Sequence, residues 1–191
     1  MTQVPVHNGR KASAPDRLAR VARPLLLAAA LLLGACAPVL DWRQMRPDGW
    51  GLAVALPCKP ASHARQVPLA GAPVELTLMA CTAEDHTFAI ASADLVDPAR
   101  IGPALQALSE AARANVQGVV EAEQPAQVKG MTPHPAARLL RLRGRLPDGQ
   151  AVAEQVLVFA HGPRVYQATL VGPRADEALA RPFFDAIEVL R

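Results

Sequence analysis

The sequence predicts an α+β domain: an antiparallel β-sheet with two helices packed on one face. Three observations predict it. Residues 74–82 (VELTLMACT) alternate apolar and polar, the period of a half-buried strand. Further apolar runs are separated by turn signals such as Pro147-Asp148-Gly149 and His161-Gly162-Pro163. Only two segments read as helices, one after Asp97 and one over residues 175–184.

The elements follow in chain order. Residues 37–49 (APVLDWRQMRPDG) have no clear period and read as a tether, with Trp42 placed to touch the bilayer. Residues 50–56 (WGLAVAL) form a strand stopped by Pro57. Residues 65–69 make a second strand, and Ala70-Gly71-Ala72-Pro73 a turn. In the strand 74–82, Val74, Leu76, Leu78 and Ala80 share one face; Glu75, Thr77, Met79 and Cys81 share the other. After a polar turn at Ala83-Glu84-Asp85, residues 87–95 complete a hairpin. Asp97-Pro98 supplies a cap and a first-turn proline, and Ile101, Leu105, Leu108, Ala112 and Val116 make a helical stripe. Gly102-Pro103 allows the helix to start only there. Residues 119–128 are a weaker strand interrupted by Pro125, and 129–135 a loop. Residues 136–146 and 151–160 pair across Pro147-Asp148-Gly149, and 164–171 follow. The second helix holds Pro182 as a kink or break, and residues 187–190 close as a strand or extended tail.

Length and composition bound the class. The chain has 191 residues, 51% hydrophobic and 19% charged, which is globular and neither disordered, collagen-like nor multi-span membrane. Its formal charge of +3 is unevenly spread. Residues 1–35 hold five basic side chains and one acid; the remaining 156 hold 15 basic and 16 acidic groups, a net of −1. That removes the case for a nucleic-acid surface on the folded part.

Residues 25–33 read LLLAAALLL, followed by Gly34-Ala35-Cys36. This run is short of the ~20 apolar residues a membrane-spanning helix needs. A basic region, a short apolar run and small residues before a break make a secretory signal. Leu33-Gly34-Ala35-Cys36 resembles the lipobox of bacterial lipoproteins. The resemblance implies that the Cys36 thiol takes a diacylglyceryl group and that cleavage makes Cys36 the N-terminus. Ala37, where lipoproteins retained in the inner membrane carry Asp, favours the outer membrane and its periplasmic face. Residues 1–35 are thus read as signal peptide, 36–49 as tether and 50–191 as one domain.

Three cysteines are an odd number, and lipidation accounts for Cys36. Cys58 and Cys81 remain on the exported side, where disulfides persist. Joining them closes a loop with 22 residues between the two, worth ~3 kcal/mol in the chain-entropy account. The alternative is two buried free thiols. No histidine stands at a ligand-like spacing from either cysteine, so a metal pair is disfavoured.

Several pieces together carry a second resemblance: the strand ending in Pro57, a hairpin, one amphipathic helix and an Arg-rich hairpin. Gly162-Pro163-Arg164-Val165-Tyr166-Gln167 and Phe183-Phe184-Asp185-Ala186-Ile187 complete them. The series, over residues 50–191, resembles PsbP-like domains. The departures are Pro182 in the last helix and Ala186 where relatives often have serine. The resemblance implies a partner-binding or assembly role, no catalytic set and no cofactor.

The remaining chemistry is sparse. Ser62, Ser92 and Ser109 sit in no nucleophile elbow, and there is no HExxH, Walker loop, GxGxxG, CxxC or EF-hand loop. His63, His86, His134 and His161 are scattered and read as solvated; no metal site is expected. Trp50 and Tyr166 read as core or rim. Arg141, Arg143 and Arg145 share one strand face near Arg138. One reading is a patch for an anionic partner. The other, preferred here, is a solvated face on which Glu154 meets Arg143 if the turn is a four-residue loop. The function expected is therefore a non-enzymatic envelope lipoprotein that binds a partner protein. The alternative is a small-molecule or lipid carrier with a cleft between sheet and helices.

Overall fold

The computed structural model describes residues 40–190. They form an antiparallel, sheet-rich α+β fold with two helices. The strands are β1 (Arg43–Met45), β2 (Leu52–Leu56), β3 (Ala61–Leu69), β4 (Ala72–Ala83) and β5 (His86–Asp94). Helix α1 (Ile101–Asn115) follows a 3-10 turn, then β6 (Val119–Pro125), β7 (Arg138–Arg145), β8 (Ala151–His161) and β9 (Arg164–Gly172). Helix α2 (Glu177–Asp185) and β10 (Glu188–Val189) end the chain. Seven strands make one sheet in the order β3-β4-β5-β9-β8-β7-β6; β1, β2 and β10 make a small second sheet.

The local chemistry of the hairpins and caps is plain. Glu84 and Asp85 both have positive φ, 49° and 60°, and form the two-residue connection between β4 and β5. Ala70 and Gly71 do the same between β3 and β4. Asp97 accepts from Ala99 N at 2.9 Å before α1, and Asp176 accepts from Ala178 N and Leu179 N before α2. Pro182 is accommodated inside α2.

Register sorts the core into two faces, because antiparallel partners point the same way. On one face lie Phe88 and Ile90 of β5, Tyr166 and Leu170 of β9, and Leu157 and Phe159 of β8. Phe159 stacks on Tyr166 at 4.8 Å, and Phe183 of α2 meets Phe88 edge-on at 5.4 Å. The small sheet joins this aromatic face: Trp42 meets Phe88 at 5.8 Å, and the Tyr166 hydroxyl donates to the Trp50 carbonyl. Burial pushes the Tyr166 phenol up. On the other face lie Val165, Val156, Val158 and Leu140, with the buried stripe of α1. The Val116 carbonyl, where α1 ends, accepts from Arg145 N at 2.6 Å. A Cβ on Gly144, which belongs to that face, would lie 2.1 Å from the Val116 carbonyl oxygen.

Three expectations are corrected here. The two helices do not share a face: α2 covers the aromatic face and α1 the opposite one. The reason is visible in β8, where Val156 to Ala160 are all at most 5% exposed, so both sides of the central sheet need cover. The folded region begins before Trp50, since β1 pairs with β2 and Asp41 N donates to the Pro57 carbonyl at 2.8 Å. Trp42 accordingly packs on Phe88 within the fold and not on a bilayer. The second strand starts at Ala61, four residues earlier than its apolar pattern suggests, because an edge strand needs no buried side chains to pair.

Candidate functional site

The arginine strand β7 lies between β6 and β8. Arg141, Arg143 and Arg145 do share the aromatic-face side, at the exposed end beyond Leu139. Each is engaged. Arg141 pairs with Glu177 of α2 at 2.9 Å, Arg143 with Glu121 of β6, and Arg145 donates to the Gly149 carbonyl at 2.9 Å. On the other side Arg138 pairs with Glu123 at 2.8 Å. Arg141 and Arg143 keep 47% and 72% of their side-chain surface open, so these are surface pairs.

Glu154 does not meet Arg143. The connection from β7 to β8 holds five residues, because Arg145 pairs with Ala151. One extra residue shifts the register by one and turns Glu154 to the opposite face, across from Leu142 and Val171. There it is 5% exposed, and its Oε2 has no hydrogen-bond partner. Burial pushes its carboxyl up to about 7. The sequence reading missed Glu121, Glu123 and Glu177 as the true partners. A bulge between Val120 and Ala122 hides the first two from simple alternation.

The histidines divide. His63 is exposed on β3. His134 is half-buried in a loop, and its Nδ1 accepts from Ala136 N at 3.0 Å. His161 is exposed and bonds the Gly130 carbonyl at 2.9 Å. His86, read as solvated, is 1% exposed. Its ring bonds the Glu84 carbonyl at 2.7 Å and the Arg174 carbonyl at 3.0 Å, tying the end of β9 to the β4–β5 turn. Gly172 makes the room: a Cβ there would lie 2.2 Å from the ring.

A disulfide joins Cys58 and Cys81, with Cα atoms 5.9 Å apart. It links the segment after β2 to β4, and so the small sheet to the large one. Cys36 lies outside the described residues. Among the described residues no helix is long and apolar enough to cross a membrane. Nor do three or more His, Cys, Asp or Glu gather there as a metal site.

An open cleft of about 420 Å³ runs between α1 and the β6–β7 edge. Val120, Leu140 and Pro103 line it with Arg113, Glu110 and the paired Arg138. Past His134 and Pro135 it meets a groove of about 740 Å³ beside Pro125, Met131 and Pro133. Both lie at the surface, outside the packed interior.

No family model and no curated protein matches the chain. Among solved structures it is similar to PA94, a protein of unknown function from Pseudomonas aeruginosa. The two are 16% identical with a TM-score of 0.41, over 74% of this chain and 89% of that one. A likeness this loose bears on neither family nor function.

Proposed function

We propose that the chain is an envelope lipoprotein whose PsbP-like domain serves, without catalysis, as a protein-binding or assembly module. Its anchor is the lipid on Cys36, and its place the periplasmic face of the outer membrane. The observation that carries the binding reading is the filled interior. Val156, Val158, Phe159, Phe88, Phe183 and Leu105 are all 0% exposed, so both layers between sheet and helices are occupied by side chains. Recognition is then a matter of the surface. Glu154 has a raised carboxyl whose cause is burial, and it stands across from Leu142 and Val171.

Cross-linking in living cells, followed by identification of what is captured, tests this reading. A recurrent envelope protein supports it; capture of none contradicts it. The anchor has its own test. Cys36→Ser is expected to abolish lipid labelling and release the chain from membranes, whereas normal membrane fractionation of that variant would end the lipoprotein reading. The carrier reading is favoured by one observation, the cleft beside α1, whose apolar floor includes Leu140 and Val120. It requires a small molecule that copurifies with the chain.

A further inference from the structure

The two edges of the large sheet are built differently. Natural proteins guard sheet edges with bulges, charges, prolines or short strands, because an open edge pairs with other chains. β6 is guarded. It is bulged between Val120 and Ala122, holds Glu121 and Glu123 in ion pairs, and ends at Pro125. β3 is guarded less. It pairs with β4 without a break from Ala61↔Ala80 to Leu69↔Ala72, and its first six residues are exposed. Its guards are Arg65 and, near its end, Pro68. Its outer side has no strand neighbour among the described residues.

Charge separates the edges again. No acid occurs between Lys59 and Val74, while Lys59, His63 and Arg65 do. None of these three is in an ion pair among the described residues, unlike Arg138, Arg141, Arg143 and Arg164 elsewhere on the sheet. His63 and Arg65 share a face, opposite Leu78 and Leu76. The next acid, Glu75, stands opposite Gln66 on the other face. Apart from Arg145 beside the β7–β8 turn, the arginine of this sheet that lacks an acidic partner among the described residues is therefore Arg65, at the β3 edge.

We propose that β3 is a docking edge that takes an extended acidic segment of a partner protein as an eighth strand. This rests on the binding-module reading above and names its surface. Backbone groups of residues 61–67 pair with the incoming segment, and its carboxylates lie beside Arg65 and Lys59. Charge disfavours a second copy of this chain, since two β3 edges would bring Arg65, His63 and Lys59 against their like.

The test uses the full chain and a blocked peptide of alternating glutamate and valine. Amide hydrogen exchange is expected to slow within residues 61–67 and to stay unchanged in β6. Arg65→Gln should weaken binding about threefold, the size of an exposed ion pair, without moving the melting temperature. Added salt should weaken it as well. A lysine–valine peptide, or the acidic peptide with a central proline, should not protect the edge. No protection by the acidic peptide, or equal protection by the basic one, overturns the proposal. So does protection of residues 61–67 that grows with protein concentration alone, the mark of a second copy. A photo-cross-linker at Ala64 separates the two claims. A partner captured in cells from other surfaces but never from Ala64 ends the docking edge and leaves the binding module standing. Capture from Ala64 supports both.

Discussion

The aromatic face and the α1 face of the sheet solve the same packing problem with different chemistry. On the aromatic face the polar atoms are matched: the Tyr166 hydroxyl has the Trp50 carbonyl, and His86 has two carbonyls. Its large rings, Phe88, Phe159, Tyr166 and Phe183, touch through oriented contacts of 4.8–5.4 Å. The α1 face is aliphatic, built on Val, Leu and Ala, yet it holds Glu154 with one oxygen unmatched. The aromatic face therefore holds matched polar groups, and the α1 face a carboxyl whose burial makes stability depend on protons. A buried polar group without a partner costs stability that apolar neighbours cannot return.

The largest expected effect strikes the aromatic face. Phe183→Ala removes a fully buried ring that meets Phe88, and is expected to cost about 3–5 kcal/mol. Denaturant unfolding measures it. A loss below that of a surface substitution would break the comparison.

The second effect belongs to Glu154. Its carboxyl titrates near 7 in the folded chain and near the ordinary 4.5 in the unfolded one. Between those values the folded state holds a proton that the unfolded state has released. Stability is thus full below pH 4.5, falls as pH rises to about 7, and is level above. At about 1.4 kcal/mol per unit the fall is of order 3 kcal/mol. Glu154→Gln should remove this slope and be the more stable protein at pH 8. Parallel pH profiles for the two proteins would show that the carboxyl is solvated after all.

Gly172→Ala sharpens the account of the matched face. The added methyl displaces the His86 ring and breaks its bonds to Glu84 and Arg174. The expected cost is about 1–3 kcal/mol, read as a lowered melting temperature, with faster amide exchange at residues 174–176. The smallest effect is at the rim. Arg141→Gln with Arg145→Gln should change stability by less than about 0.5 kcal/mol, because exposed pairs contribute little.

Much of the fold was legible because strand alternation and turn residues are local signals. The face assignments in β4 needed nothing beyond them, and the Cys58–Cys81 pairing followed from the cysteine count and the export signal. What was not legible depended on counting across a turn. One residue in the β7–β8 connection decides whether Glu154 meets Arg143 or lies buried opposite Leu142. The bulge in β6 hid Glu121 in the same way. The placement of α1 and α2 on opposite faces had a signal that was passed over. The run Val156 to Ala160 is apolar without alternation, as in a strand covered on both sides. His86 looked solvated because it follows a polar turn; its burial depends on Gly172, 86 residues away in sequence. The candidate site was the least legible part. The arginine row drew attention by its charge, but its neutralising acids come from β6 and α2, elements distant in sequence.

We propose a lipid-anchored domain with a filled interior that works through its surface. Native mass spectrometry of the full chain, extracted gently from membranes, tests it most directly. The expected mass starts at Cys36, carries acyl chains and one disulfide, and includes no stoichiometric small molecule. A chain that keeps residues 1–35 without acylation, or one that retains a small apolar ligand mole for mole, would contradict it.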